Sequence, residues 1–268
     1  MIEIILIGSL ATLAPAGLAA IWWYWRKPAW MGFADKTLWD WATILAIPTG
    51  VGLASLGISA VQIALERDAA QEAAVQAYFD RIGTLAPLLD ESGPHVDRSL
   101  VIGRAQTAAV LRVVDGERAG RILTFLHEAG LLGAFVDSLE GLDLGGARMK
   151  GLNLDGVDLE DAILRGADLE KSRLREADFE HADLRGTDLK HTDLRGADFE
   201  GTRINGAELH GADLRGADLS LAVGLRARQL ANACLDATTL LPAGLLAVGN
   251  PEACLSGFAD AQPDADKD

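Results

Sequence analysis

Apolar residues follow three different patterns along this chain. Two long runs, residues 4–25 and 42–65, contain no charged side chain. Residues 66–138 are rich in alanine, glutamate and glutamine, with spaced apolar positions that are typical of helices. From residue 139 to 222 a bulky apolar residue returns at every fifth position. The pattern therefore predicts helices in the first half of the chain and a repeating structure in the second.

The two uncharged runs are long enough to cross a membrane. At about 1.5 Å per residue, each exceeds the roughly 30 Å hydrocarbon core of a bilayer. Aromatic residues 22–25, followed by Arg26 and Lys27, resemble the end of a span at the lipid interface. A cleaved signal sequence is the alternative for the first run, although the first side-chain charge is Glu3 rather than a basic residue. Two buried helices of a soluble core are a further alternative, but such helices normally keep a polar face. We predict a hairpin of two transmembrane helices.

The connecting segment carries helix start and stop signals. Pro87 and the following polar residues predict the end of one helix. Asp115 is placed to cap another, with Glu117 in its first turn and Gly130 just beyond its end. We predict a helical stem and linker over residues 66–138.

The five-residue repeat fits neither an unbroken helix nor a flat strand. A helix would scatter the apolar positions around its circumference, and a strand would place alternate ones on opposite faces. Short units that stack on one another can instead direct every apolar position inward. The sixteen apolar centres, each mostly preceded two residues earlier by alanine or threonine, are Leu144, Met149, Leu154, Leu159, Leu164, Leu169, Leu174, Phe179, Leu184, Leu189, Leu194, Phe199, Ile204, Leu209, Leu214 and Leu219.

These units carry a family resemblance. Residues 197–220, "ADFEGTRINGAELHGADLRGADLS", resemble the A(D/N)LXX pattern of pentapeptide repeat proteins, and the upstream segment is similar to membrane-anchored bacterial members. The resemblance implies a right-handed quadrilateral β-helix with four pentapeptides per coil. Leu142, Leu152 and Val157 depart from the usual small residue in the first coil. The predicted fold class is α+β: a transmembrane helical hairpin and a helical segment, followed by this β-helix.

Five domains follow from these observations. We expect two transmembrane helices within 1–65, the helical stem over 66–138 and a four-coil β-helix over 139–222. Residues 223–249 are predicted to form a C-terminal cap, because an uncovered last coil would leave open strand edges. Residues 250–268 are predicted to be a disordered acidic tail.

Charge is distributed unevenly around the predicted coils. The chain has a net charge of −15, which disfavours direct nucleic-acid binding. If residues 20 apart stack, one side collects eight acids and no Lys or Arg. This candidate interaction face comprises Asp158, Glu160, Asp161, Asp178, Glu180, Asp198, Glu200 and Asp218. An acidic run can also be merely a solvated surface.

No catalytic or cofactor motif accompanies the repeats. His181, His191 and His210 lie at outward positions without a catalytic or metal-ligand spacing in the sequence, and Cys234 and Cys254 are interpreted as ordinary small residues. We expect no enzyme activity, cofactor or metal.

The predicted function is a membrane-anchored, non-catalytic structural or interaction scaffold with an unidentified protein partner. The alternative is a DNA-mimic modulator of a type II topoisomerase that acts through the acidic face.

The predicted location is the cell inner membrane, with two passes and the β-helix in the cytoplasm. The basic residues of the loop between the runs favour the opposite orientation by one charge. Three observations favour a cytoplasmic β-helix. The chain lacks the basic region of a signal sequence, it resembles cytoplasmic membrane-anchored members of the family, and no disulfide is expected.

Overall fold

The computed structural model describes residues 38–89 and 94–245. The chain divides into two compact units, residues 1–65 and 66–268. The predicted span 4–25 and the predicted tail 250–268 lie outside the described residues. The proposed division into five domains stays a prediction.

The described residues contain five helices. They are α1 (Leu38–Leu89), α2 (Pro94–Leu111), α3 (Gly116–Glu128), α4 (Leu132–Phe135) and α5 (Ala227–Leu230). The predicted cap of α3 is confirmed, because the Asp115 side chain accepts a hydrogen bond from the backbone N–H of Arg118. Gly130 follows the end of α3 with a φ of 69°, a left-handed conformation that favours glycine.

The prediction of a membrane span at residues 42–65 is wrong. Within the described part of the chain, no helix is both long and apolar enough to cross a membrane. The prediction rested on the absence of charge within the run, whereas the helix that contains it, α1, continues without a break into the charged residues that begin at Glu66. The two-pass inner-membrane location that rested on this span is withdrawn with it.

The five-residue units stack as a parallel β-helix. Fourteen parallel β-bridges join residues 20 apart, from Ser138 with Asp158 to Arg203 with Val223. A spacing of 20 residues means that four units complete one coil, as the sequence predicted. Each bridge is isolated rather than part of a longer strand, because the chain turns again within every five residues.

The interior of the coils follows the alternation of large and small residues. All sixteen predicted centres are buried, and Leu139 adds one more at the start of the first coil. Most positions two residues earlier hold buried alanine. Where a hydroxyl replaces alanine there, it donates a hydrogen bond to a backbone carbonyl 23 residues earlier, as in Ser172, Thr187, Thr192 and Thr202. A polar side chain in this core is therefore satisfied and ties one coil to the previous one.

Helix α3 covers the N-terminal end of the coils at very close range. A Cβ atom on Gly120 would lie 2.7 Å from the backbone nitrogen of Arg148, and one on Gly116 would collide with the carbonyl oxygen of Gly145. Only glycine allows the helix backbone to approach the first coil this closely. Ile122 and Leu123 of the same helix are completely buried.

Residues 226–245 continue the stack beyond the last regular coil. The bridges Asp213 with Cys234 and Asp218 with Leu240 span 21 and 22 residues, so the regular register ends here. The Gln229 side chain donates hydrogen bonds to the carbonyl oxygens of Ile204 and Ala207, at 3.0 and 2.9 Å. Cys234 is buried and disulfide-bonded, so its interpretation as an ordinary small residue is wrong.

Candidate interaction face

The predicted acidic residues share one side of the β-helix. Asp158, Asp178, Asp198 and Asp218 form successive parallel bridges in a single column. Each glutamate follows its aspartate by two residues, so Glu160, Glu180 and Glu200 lie at the same turn of consecutive coils. We keep the name acidic face for the eight predicted residues.

The aspartates of the acidic face also build the turns. One carboxylate oxygen of Asp158 accepts a hydrogen bond from the backbone N–H of Glu160 at 3.0 Å, and Asp178 does the same for Glu180 at 2.9 Å. The same bond occurs at Asp198 and Asp218. These aspartates are therefore fixed structural residues, and the glutamates are the side chains best placed to bind a partner.

Like charges crowd around Glu160. Burial raises the pKa of its carboxyl group above the ordinary value, and the negative charges of Glu180, Glu140, Asp161 and Asp158 raise it further. Glu140 belongs to this column one coil earlier, although it is not among the eight predicted residues. Its position follows from the 20-residue stacking once the register is extended back to Leu139.

Aspartates on two other sides of the coils have arginine partners. Asp193 is fully buried and accepts hydrogen bonds from Arg195 at 2.8 Å and from Arg175. Asp213 pairs with Arg215 in the same way, and Asp183 pairs with Arg165 and Arg185. Among the described residues, no Lys or Arg forms an ion pair with a member of the acidic face. Its charge is therefore uncompensated, whereas neighbouring charges are paired.

One histidine lies beside the acidic face. The Nδ1 atom of His181 is 3.4 Å from a carboxylate oxygen of Glu180. Glu160, Glu180 and His181 each offer a metal-ligand atom, and these atoms lie within 4.8 Å of one another. These donors come from stacked coils, so they show no metal-ligand spacing in the sequence. The other two histidines of the repeats, His191 and His210, contact each other edge to face at 5.6 Å.

The repeats match a known family. The profile of the pentapeptide repeats matches residues 153–190 and 182–220, with eight copies. The chain is a pentapeptide repeat protein. Proteins with these repeats form right-handed β-helix solenoids, in agreement with the 20-residue bridges. Pentapeptide repeat proteins are generally non-catalytic structural or interaction proteins.

Solved structures of other pentapeptide repeat proteins resemble this chain over part of its length. One from the Arabidopsis thaliana thylakoid lumen is 33% identical, covers 37% of this chain and has a TM-score of 0.30. The present chain spans 61% of that protein's length. One from Nostoc PCC 7120 is 28% identical, covers 43% of this chain and 94% of its own, with a TM-score of 0.29.

A third structure is QnrB1, a plasmid-mediated fluoroquinolone resistance protein. It is 21% identical, covers 39% of this chain and 55% of its own, with a TM-score of 0.25. None of the curated proteins compared with the chain matches it. Because these TM-scores are low, the family assignment rests on the repeat profile.

Proposed function

We propose that this pentapeptide repeat protein is a non-catalytic interaction scaffold whose acidic face binds a basic surface of a protein partner. The observation that carries the proposal is the uncompensated charge of that face. On two other sides of the coils, Asp183, Asp193 and Asp213 are paired with arginines, whereas Glu160, Glu180 and Glu200 of the acidic face have no Lys or Arg partner among the described residues.

The stacked fold suits such a role. Coils repeat at about 4.8 Å, so a partner meets carboxylates at a regular spacing on a surface that does not deform easily. Leu159, Phe179 and Phe199, next to the three glutamates, are fully or almost fully buried. A rigid surface loses little conformational entropy on binding, and complementary charge selects the partner and speeds the encounter.

The DNA-mimic alternative uses the same residues. A column of carboxylates imitates a row of phosphates, but the four aspartates from Asp158 to Asp218 span only three intervals of about 4.8 Å. This is the length of about four base pairs. We therefore rank the DNA-mimic function second. If the protein inhibited DNA supercoiling by a type II topoisomerase, this function would rank first.

The experiment replaces the three glutamates of the acidic face together. The protein is immobilised, bound proteins from a lysate of the source organism are identified, and the affinity of the strongest candidate is measured by calorimetry. Glu160→Gln, Glu180→Gln and Glu200→Gln in one chain should weaken binding at least about tenfold, because each charge in contact with the partner contributes roughly 0.5 kcal/mol or more. Added salt should weaken binding to the unaltered chain.

A matched control removes the same number of negative charges from another part of the protein. Glu66→Gln, Glu117→Gln and Glu128→Gln alter exposed acids outside the coils. This control should bind as tightly as the unaltered chain. Equal affinity of all three proteins would show that the partner docks elsewhere, and the acidic face would then be only solvated surface.

A further inference from the structure

The cluster of Glu160, Glu180 and His181 combines two kinds of metal ligand. Two carboxylates come from the same turn of consecutive coils, and an imidazole follows the second one directly. Their ligand atoms lie within 4.8 Å of one another, and Nδ1 of His181 is already 3.4 Å from Glu180. Elsewhere on the acidic face, the residue after the glutamate is Asp161 or Gly201, so this mixed set occurs once among the described coils.

The backbone that carries these ligands is held firmly. The N–H of Asp161 donates to the carbonyl of Glu180 at 2.9 Å, and the N–H of His181 donates to the carbonyl of Glu200 at 2.8 Å. Glu160 and Glu180 follow buried centres of the core. Their α-carbons therefore keep their positions whether or not an ion is bound, which limits the cost of organising a site.

The imidazole is positioned by the next coil. A Cβ atom on Gly201 would lie 2.6 Å from Cδ2 of His181, so the ring occupies space that only a residue without a side chain leaves free. This contact holds the ring beside the carboxylates. The neighbouring glutamates carry no Lys or Arg partner in the described part of the chain, so a bound cation would meet no competing ion pair.

We propose that Glu160, Glu180 and His181 bind one divalent transition-metal ion of the zinc, nickel and cobalt class. Imidazole with carboxylates suits these ions, whereas calcium and magnesium prefer oxygen ligands alone. Tetrahedral zinc with bonds of about 2.0–2.2 Å holds its ligand atoms about 3.3–3.6 Å apart. The ligand atoms now lie within 4.8 Å of one another, so the glutamate side chains must close by at most about 1.5 Å, which their rotatable bonds allow. Water completes the coordination on the exposed side.

Zinc titration of the full-length chain by calorimetry tests the site. The unaltered protein should bind one Zn²⁺ ion that His181→Asn, Glu180→Gln and Glu160→Gln each weaken at least about tenfold, as expected when a ligand is lost. Asparagine is the appropriate replacement because His181 has a φ of 59°, a conformation that asparagine tolerates. Zinc should also raise the melting temperature of the unaltered chain, since the ion binds only the folded state.

Two matched controls separate this site from general attraction to acids. His191→Asn changes another left-handed histidine, and Glu200→Gln changes the same turn one coil further on. Both should leave zinc affinity unchanged. Zinc binding that His181→Asn does not weaken, binding that Mg²⁺ matches in affinity, or no binding at all would each overturn the proposal. Circular dichroism of every variant shows whether a loss reflects the ligand or unfolding.

Discussion

At the scale of single residues, one aspartate serves two purposes in this β-helix. In most units the aspartate carboxylate accepts a hydrogen bond from the backbone N–H two residues later, and this bond closes the turn. Asp193 and Asp178 both do this, but arginine follows in one case and glutamate in the other. The residue two positions after the aspartate therefore decides whether a side of the coil is paired internally or left negative.

Replacement of Asp193 by asparagine should destabilise the protein at neutral pH. Although burial alone would raise the pKa of Asp193, hydrogen bonds from Arg195 and Arg175 hold it below its ordinary value. A lowered folded-state pKa gives stability that is present above the unfolded value of about 3.9 and is lost as the pH falls through the folded value. We expect Asp193→Asn to cost about 1–3 kcal/mol in urea unfolding at pH 7 and less near pH 3.

Asp178→Asn is the control for this change. It keeps an oxygen that can accept the turn hydrogen bond, but it removes a charge that has no arginine partner among the described residues. Its free energy of unfolding should be equal to or greater than that of the unaltered chain. If both variants lost the same stability, the arginine pairs would not be the cause.

At the scale of elements, the close approach of α3 to the first coil sets the N-terminal end of the solenoid. Gly120→Ala should weaken this contact, because the added Cβ would lie 2.7 Å from a backbone nitrogen that cannot move independently. We expect a loss of about 1–3 kcal/mol in thermal or urea unfolding, despite the better helix propensity of alanine.

Gly133→Ala provides the comparison within α4. Nothing lies within 4 Å of a Cβ atom at Gly133, and its φ is not positive. This change should be neutral or slightly stabilising. A destabilisation equal to that of Gly120→Ala would mean that helix packing on the coil is not the reason.

The sequence predicted the elements that repeat and missed the contacts that do not. The 20-residue stacking and the buried centres follow from a period that recurs in every unit, and the cap at Asp115 is a local signal. Gly116 and Gly120 pack on residues of the first coil that lie about 28 positions further along the chain. This contact occurs once and does not repeat along the chain, so no sequence pattern predicts it. Glu160 and His181 lie close together only because their two coils stack on each other. The run at 42–65 was misread because the absence of charge within it was taken as the mark of a complete span, although α1 continues from it into charged residues.

At the scale of the whole molecule, the described coils are covered at both ends. The C-terminal cover supplies partners for the N–H groups of Gly211, Leu214 and Leu219, which donate to carbonyls of Asn232, Cys234 and Leu240. An uncovered end would expose these donors together with apolar core residues, and such an edge pairs readily with another chain.

A chain that ends after Leu225 should therefore form larger oligomers than the full chain. Size-exclusion chromatography with light scattering, in the presence of a reductant, measures this directly. A chain that ends after Leu245 keeps the covering segment and should behave like the full chain. Identical masses per particle for both truncations would show that residues 226–245 do not protect the edge.

The coil of four units also limits how the gene of such a protein can change in length. Deleting one unit of five residues would preserve every local turn, yet it would rotate all later residues by one side of the coil. The acidic column from Asp158 to Asp218 would then be split between two sides. Deleting 20 residues removes a whole coil and leaves the later columns in line. Duplications and losses that keep the acidic face intact are therefore expected in multiples of 20 residues.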